Sequence, residues 1–254
     1  MRDIKGKVAW ITGAGSGIGA GTALAYASAG MQLVLSGRRE KELQAVADQV
    51  AALGGRARVA VLDVSDAPAV QSVVAGIAQQ EGRLDVVVNS AGLNVLKRNW
   101  KHLNLADWNQ VIRIDLDGAF YCCHAVLPML RRQGDGLIIN VSSWAGRHVS
   151  AMTGPAYSAA KFGLNAMTES INIEEGLHGI RATAVCPSEV STPILDKRPV
   201  PVSAADRAQM VQPVDCGELM LFLARMPAHV CINDVTISPT WNRAYVPQAQ
   251  GIPD

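Results

Sequence analysis

Little in this 254-residue sequence is extreme. It has no surplus of either charge: 23 Lys and Arg against 22 Asp and Glu leave a net charge of +1. No general attraction to nucleic acid, an anionic membrane or an acidic partner is therefore expected, and recognition should be local. Metal-finger spacing is missing as well, since the five cysteines include the adjacent Cys122 and Cys123 but no CxxC, and the five histidines show no HxxxH. An odd, unpatterned cysteine set fits a reduced, cytoplasmic setting. At the start of the chain a charged stretch, 1–7, passes straight into Val8–Ile11, too short for a signal sequence or a membrane span, so no targeting is expected. The sequon Asn140-Val141-Ser142 ends a hydrophobic run and reads as unmodified. The composition itself, 49% hydrophobic and 18% charged, excludes disorder. A chain of this length, taken as one domain over 1–254, is able to bury about three quarters of its unfolded surface.

Short runs of Val, Ile and Leu alternate with longer amphipathic stretches, as buried parallel strands and their crossover helices do. Strands are expected at 8–12, 32–36, 58–62, 86–89, 137–142, 182–186 and 231–237. Helices are expected at 17–29, 40–52, 67–80, 107–132, 156–177 and 215–225. The pattern predicts an α/β fold: a doubly wound, parallel, seven-stranded sheet with helices on both faces. No linker or repeat interrupts it. The exception is 187–213, which holds five of the 12 prolines and reads as a mobile loop with at most a short helix. It follows a strand, on the side of an α/β sheet where ligands bind, and is the expected substrate lid.

After the first strand comes Thr12-Gly13-Ala14-Gly15-Ser16-Gly17-Ile18-Gly19. Glycines there permit a tight turn and let backbone approach a pyrophosphate at a helix N-terminus. The general GxGxxG pattern matches only as Gly15-x-Gly17-x-x-Ala20. At the end of the second strand, where an acid usually holds the ribose 2′-hydroxyl of NAD, stands Gly37, followed by Arg38 and Arg39. Room and positive charge favour a 2′-phosphate, hence NADP over NAD. For Arg39 a solvated helix start is an equal alternative. Ser143, at the end of the fifth strand, precedes Tyr157-Ser158-Ala159-Ala160-Lys161. Four tyrosines and seven lysines in this length make about 0.1 chance matches to YxxxK, so position carries the weight. At i and i+4 on a helix the two share a face, and the ammonium is expected to lower the phenol from about 10 so that it serves as acid or base.

As a whole, from about residue 7 to 240, the chain resembles the short-chain dehydrogenase/reductase family in its compact form. The residues concerned are Thr12–Gly19 for TGxxxGxG, Asp63-Val64 for the adenine pocket, and Asn89-Ser90-Ala91-Gly92 for NNAG. Ser143, Tyr157 and Lys161 match the catalytic serine, tyrosine and lysine, and Pro187–Thr192 is similar to PGxVxT. The resemblance implies cofactor contacts from Gly13, Ser16, Gly17, Ile18, Gly19, Arg38, Arg39, Asp63 and Val64. Asn89, Ala91, Gly92, Tyr157, Lys161, Pro187, Val190 and Thr192 complete that set. It implies an oxidoreductase interconverting a secondary alcohol and a ketone, with no metal, and a homodimer or homotetramer built on the long helices. The alternative is a non-catalytic dinucleotide-binding module of the same fold.

Three departures from the family pattern stand out. Asp115 replaces the asparagine of VNLxG, which in the family supports a proton relay ending at the lysine, largely by holding a helix kink. Ser188 replaces the glycine of PG. Ser143 and Tyr157 are 14 apart, one more than the common spacing. The substrate pocket is expected from the loops 94–101 and 144–156 and from the lid, with Trp144, Val149, Met152, Ile194 and Leu195 giving it an apolar character.

Overall fold

The computed structural model describes residues 1–198, 201–243 and 245, without the side chain of Lys197. Seven strands form one parallel sheet: β1 Val8–Thr12, β2 Gln32–Gly37, β3 Arg56–Val61, β4 Val86–Asn89, β5 Gly136–Val141, β6 Ile180–Pro187 and β7 Asp234–Ile237. Their spatial order is β3-β2-β1-β4-β5-β6-β7. The order reverses between β1 and β4, which opens a crevice beyond their C-terminal ends.

The helices are α1 Gly17–Ser28, α2 Glu40–Ala52, α3 Ala67–Gln80, α4 Leu105–Ile112, α5 Gly118–Gln133, α6 Pro155–Glu175, α7 Ala204–Gln209 and α8 Pro213–Ala224. Alternation along the strands sorts the core into two layers. In β1, Ala9 and Ile11 pack with α1, α2 and α8, whereas Val8 and Trp10 pack with α3 and α5 on the opposite face. α1 and α8 touch backbone to backbone: a Cβ on Gly217 would sit 2.5 Å from the Gly21 carbonyl oxygen, and one on Gly21 would collide with that of Pro213. Trp10 is wholly buried, and its indole N–H is satisfied by the Ser36 hydroxyl at 2.9 Å. Among the described residues no helix is long and apolar enough to cross a membrane.

Three expectations change. The single helix expected over 107–132 is α4 and α5 joined by a π-helical turn, Arg113–Asp117, a form that cannot be told from α-helix by apolar periodicity. The last strand starts at Asp234 rather than 231. Residues 187–213 carry more structure than their prolines suggest: Val190 bridges Val211, a 3₁₀ turn runs over Pro193–Lys197, and α7 begins at an N-cap in which the Ser203 hydroxyl accepts from the Asp206 N–H. Positions 199 and 200 of the lid lie outside the described residues.

Candidate active site

The turn after β1 is shaped by close approach. Gly13 and Gly17 have φ of +64° and +56°, which a side chain disfavours. A Cβ on Gly13 would also stand 2.7 Å from the Ser90 carbonyl oxygen, and one on Gly19 2.5 Å from that of Gly13. Thr12 locks the same junction, its hydroxyl oxygen accepting from the N–H groups of Ser90 and Ala91 at 3.2 and 3.3 Å. The glycines that matter are therefore 13, 17 and 19, in the TGxxxGxG frame. The first amides of α1 consequently open onto the crevice with Ser16 at the N-cap.

One cavity of about 840 Å³ runs along the crevice. At one end it is lined by Gly13, Ser16, Gly17, Ile18, Arg38, Arg39, Asp63 and Val64. Ala91, Gly92, Ser143, Tyr157 and Lys161 follow, with Pro187, Val190 and Thr192 across from them. Arg39 donates to the Ser16 hydroxyl at 3.1 Å while pairing with Glu42, so it leans over the glycine loop rather than only starting α2. Arg38 stands 4.0 Å from Asp63. Burial works against ionisation of Asp63, but hydrogen bonds from Ser65 together with Arg38 and Arg113 hold its carboxyl below the usual range. A Cβ at Gly37 would meet Leu43 at an ordinary 3.5 Å. A side chain therefore fits there, and what distinguishes the position is the missing carboxylate.

Two expected cofactor residues do not line the cavity. Gly19 lies behind the loop, where its lack of a side chain admits the Gly13 carbonyl. Asn89 is buried under the loop, its amide nitrogen donating to Asn140 at 2.8 Å and to the Cys123 sulfur at 3.3 Å within the sheet. Asp115 also stands behind the wall.

The other end gathers the titratable groups. Lys161, only 3% exposed, donates to the Val141 carbonyl at 3.0 Å and stands 3.6 Å from Asp115 Oδ2. Its ammonium lies 5.4 Å from the Tyr157 ring centroid, as i, i+4 spacing on α6 dictates. Asp115, 1% exposed in the π-helical turn, accepts from the Leu93 N–H at 2.8 Å through Oδ1, and its Oδ2 has no hydrogen-bond partner. Burial pushes this carboxyl up to about 6, against the opposing pull of Lys161 and of the Leu93 N–H. Gly92 passes close by: a Cβ there would stand a tight 3.3 Å from Asp115 Oδ2 and 3.6 Å from the lysine nitrogen.

Tyr157 corrects an expectation. Burial raises its phenol above the ordinary value and outweighs the Lys161 ammonium; Asp115 adds to the rise, while a hydrogen bond with Ser143 and the charge of Arg98 oppose it. The lysine alone does not make this tyrosine a weak-field base. Ser143, two residues beyond β5, is in extended backbone, and its hydroxyl oxygen accepts from the Ala145 N–H at 3.1 Å, which fixes the side chain beside the phenol.

Sequence reasoning missed Thr12 as a tie and Arg243 as a lining residue; Arg98 and Glu189, which also line the cavity, fall in segments expected at the pocket but are not singled out. Arg98 falls within the loop 94–101 expected to border the pocket, and nothing in the sequence sets it apart there. Only the tertiary packing of that loop buries it.

A family model described as short chain dehydrogenase matches residues 7–200. The short-chain reductase protein NovJ of Streptomyces niveus is 40% identical over 192 residues, covering 75% of this chain and 71% of that protein. Among solved structures, a metagenomic short-chain oxidoreductase in complex with NADP superposes with a TM-score of 0.82 at 30% identity, covering 95% of this chain and 100% of that one. An alcohol dehydrogenase from the archaeon Thermococcus sibiricus, complexed with 5-hydroxy-NADP, gives 0.85 at 27%, covering 94% and 99%. With the parallel sheet, the glycine loop and this cavity already in place, these matches establish that the chain belongs to the short-chain dehydrogenase/reductase family, as an NAD(P)-dependent oxidoreductase.

Proposed function

We propose that the protein interconverts a ketone and a secondary alcohol with NADP in preference to NAD. The observation that carries this reading is a single cavity with Ser143, Tyr157 and Lys161 at one end and two arginines over a glycine loop at the other. The residues present fit a dinucleotide: backbone N–H groups at the start of α1 suit a pyrophosphate, and a Cβ on Gly17, which lines the cavity, would press to 3.0 Å from Thr192 Cγ2. Arg39 with Ser16, flanked by Arg38, suits a 2′-phosphate. Asp63 and Val64 would border the adenine, and Pro187, Val190 and Thr192 the nicotinamide. Two similar structures hold NADP or its 5-hydroxy derivative, which supports the choice.

A bound nicotinamide supplies or accepts the hydride. Everything else falls to this chain. The Tyr157 hydroxyl gives its proton to the carbonyl oxygen during reduction and takes it back during oxidation. Ser143, held by Ala145, donates to the same oxygen as charge develops on it. Burial holds the phenol protonated, Lys161 favours the phenolate electrostatically and Asp115 opposes it, so the pair tunes the pH at which Tyr157 works. The π-helical turn supplies the kink in which the family uses asparagine, and the Asp115 carboxylate additionally faces the ammonium. In this reading 187–213 is the lid of a cytoplasmic enzyme. Exposed Phe120, Phe162 and Ile173 on α5 and α6 support a homodimer or homotetramer, against which a monomer in light scattering would count.

Purified protein should reduce members of a ketone panel with NADPH. Tyr157→Phe should lose at least about 90% of turnover while keeping NADPH affinity, because only the titrating hydroxyl is removed. Substantial activity in that variant would place the proton on another group.

Arg39→Asp should weaken NADPH binding by about 2–3 kcal/mol, with NADH affected less and Arg38→Asp showing a smaller loss. Equal wild-type kcat/KM for NADPH and NADH would contradict the cofactor assignment.

Asp115→Asn removes a carboxylate that raises the phenol, so the limb of the kcat–pH profile governed by Tyr157 should move to lower pH. A buried acid raised from 3.8 to about 6 favours the folded state while protonated and loses that advantage as pH climbs through this window. Thermal melts should therefore show wild type losing stability relative to Asp115→Asn across the same window. Superposable rate profiles would leave the kink as the sole role of this residue.

A further inference from the structure

One carboxylate in the cavity wall ties together stretches of chain that are far apart in sequence. Resting on the oxidoreductase reading of the same cavity, we propose that Glu189 is a positioning residue that holds Arg198 and Arg243 in place and so assembles the wall against which the carbonyl substrate is seated.

Glu189 follows β6, and its backbone and side chain are anchored separately. Its carbonyl accepts from the Val211 N–H at 3.1 Å, beside the bridge between Val190 and Val211, so the main chain is fixed without help from the carboxylate. The side chain reaches elsewhere. Both of its oxygens receive Arg243, from Nε at 2.7 Å and from Nη2 at 2.6 Å, and Oε1 also receives Arg198 at 2.7 Å. A forked pair of this kind fixes orientation as well as distance. Burial works against ionisation of the Glu189 carboxyl, but the two guanidinium groups outweigh it and hold the group below the usual carboxylate range.

All three residues line the cavity. Arg198 closes the 3₁₀ turn Pro193–Lys197, its N–H donating to the Leu195 carbonyl at 3.0 Å, so the turn that brings Ile194 and Leu195 to the cavity ends on a residue that Glu189 holds. Arg243 lies beyond β7, and its stretch of chain has a second tie: the Tyr245 ring meets the Trp144 ring edge-on at 5.4 Å. Trp144 in turn packs against His148 at 4.5 Å, and both line the cavity. Chain from beyond β5, β6 and β7 therefore meets here. Because Trp144 directly follows Ser143, the junction stands beside the reacting groups and not at the arginines over the glycine loop.

The aromatic residues around Arg243 bury little, with Trp241 and Tyr245 56% and 51% exposed, and Asp206 pairs with Arg243 only at 3.8 Å. The forked contact with Glu189 is thus the strongest described tie of this stretch. Glu189 occupies an open place in the PGxVxT pattern, and Arg243 lies outside the residues that the family model matches. A wall built from such positions belongs to this chain's own selection of substrate.

Hydrogen exchange on the protein–NADP⁺ complex, with steady-state kinetics beside it, tests the assignment. Glu189→Gln should speed exchange about tenfold or more in peptides covering 192–198 and 238–243 while leaving β5 and β6 unchanged. For a ketone that wild type reduces, KM should rise about tenfold with kcat within about threefold and NADPH affinity unchanged. Arg243→Gln should act in the same direction, and the double variant should be no worse than Glu189→Gln, because both remove one contact. Glu189→Asp should recover part of the loss. Should Glu189→Gln fail to fold, Arg243→Gln decides on the same readouts. Unaltered exchange in both segments, exchange accelerated throughout the sheet, an unmoved KM, or additive effects in the double variant would overturn the proposal. A wild type that reduces no ketone would count against the oxidoreductase reading, and the exchange measurement would still decide whether Glu189 holds the wall.

Discussion

The structure turns on a buried ammonium. Taking a lysine charge out of water costs several kcal/mol unless partners are fixed around it. Here the Val141 carbonyl and the Asp115 carboxylate supply them, at 3.0 and 3.6 Å. Those partners belong to the end of β5 and to the π-helical turn, and the lysine belongs to α6, so three elements converge on one atom. Gly92 lets a fourth segment pass over the pair, and Leu93 anchors it through the Asp115 carboxylate. With Lys161 fixed, α6 cannot slip by a residue, and Tyr157 is held one turn away on the same face.

The cofactor end is organised by backbone contact instead of charge. Thr12 and Gly13 join the end of β1 to the turn after β4, so the strands flanking the topological reversal are tied where a ligand would lie. Charge enters at its periphery, through Arg38, Arg39 and Asp63. The cavity thus runs from Arg38 and Arg39, past the backbone of the glycine loop, to Ser143, Tyr157 and Lys161, with Asp115 behind that wall facing the lysine.

How much of this was legible in the sequence follows from the range of each interaction. Strand and helix positions were readable because apolar alternation is local, and the seven strands appear in the expected order with shifted ends. Gly13 and Gly17 announce themselves because positive φ at a strand-to-helix turn leaves few alternatives. Tyr157 and Lys161 share a helix face by arithmetic. The π-helical turn was hidden because one extra residue in a turn barely alters periodicity. Asn89 was read as a ligand residue because a motif records its position and not where its amide points. The loop 94–101 was readable as pocket wall, but the burial of Arg98 within it was not, because that loop is tied across 59 positions, by Asn94 donating to Thr153. The direction of the Tyr157 shift was misjudged for a related reason: the lysine four residues away is plain in the sequence, whereas the burial that outweighs it is made by the whole fold.

The proposed proton transfer rests on Tyr157 as a phenol that burial holds protonated and that positive charge in the cavity releases. Ultraviolet titration of wild type minus Tyr157→Phe, with and without NADP⁺, measures this directly. The free protein should titrate above the ordinary tyrosine value, as burial requires, and the curve should move to lower pH when the positively charged nicotinamide is bound. A Tyr157 titration unmoved by NADP⁺, with binding verified in the same samples, would contradict the account.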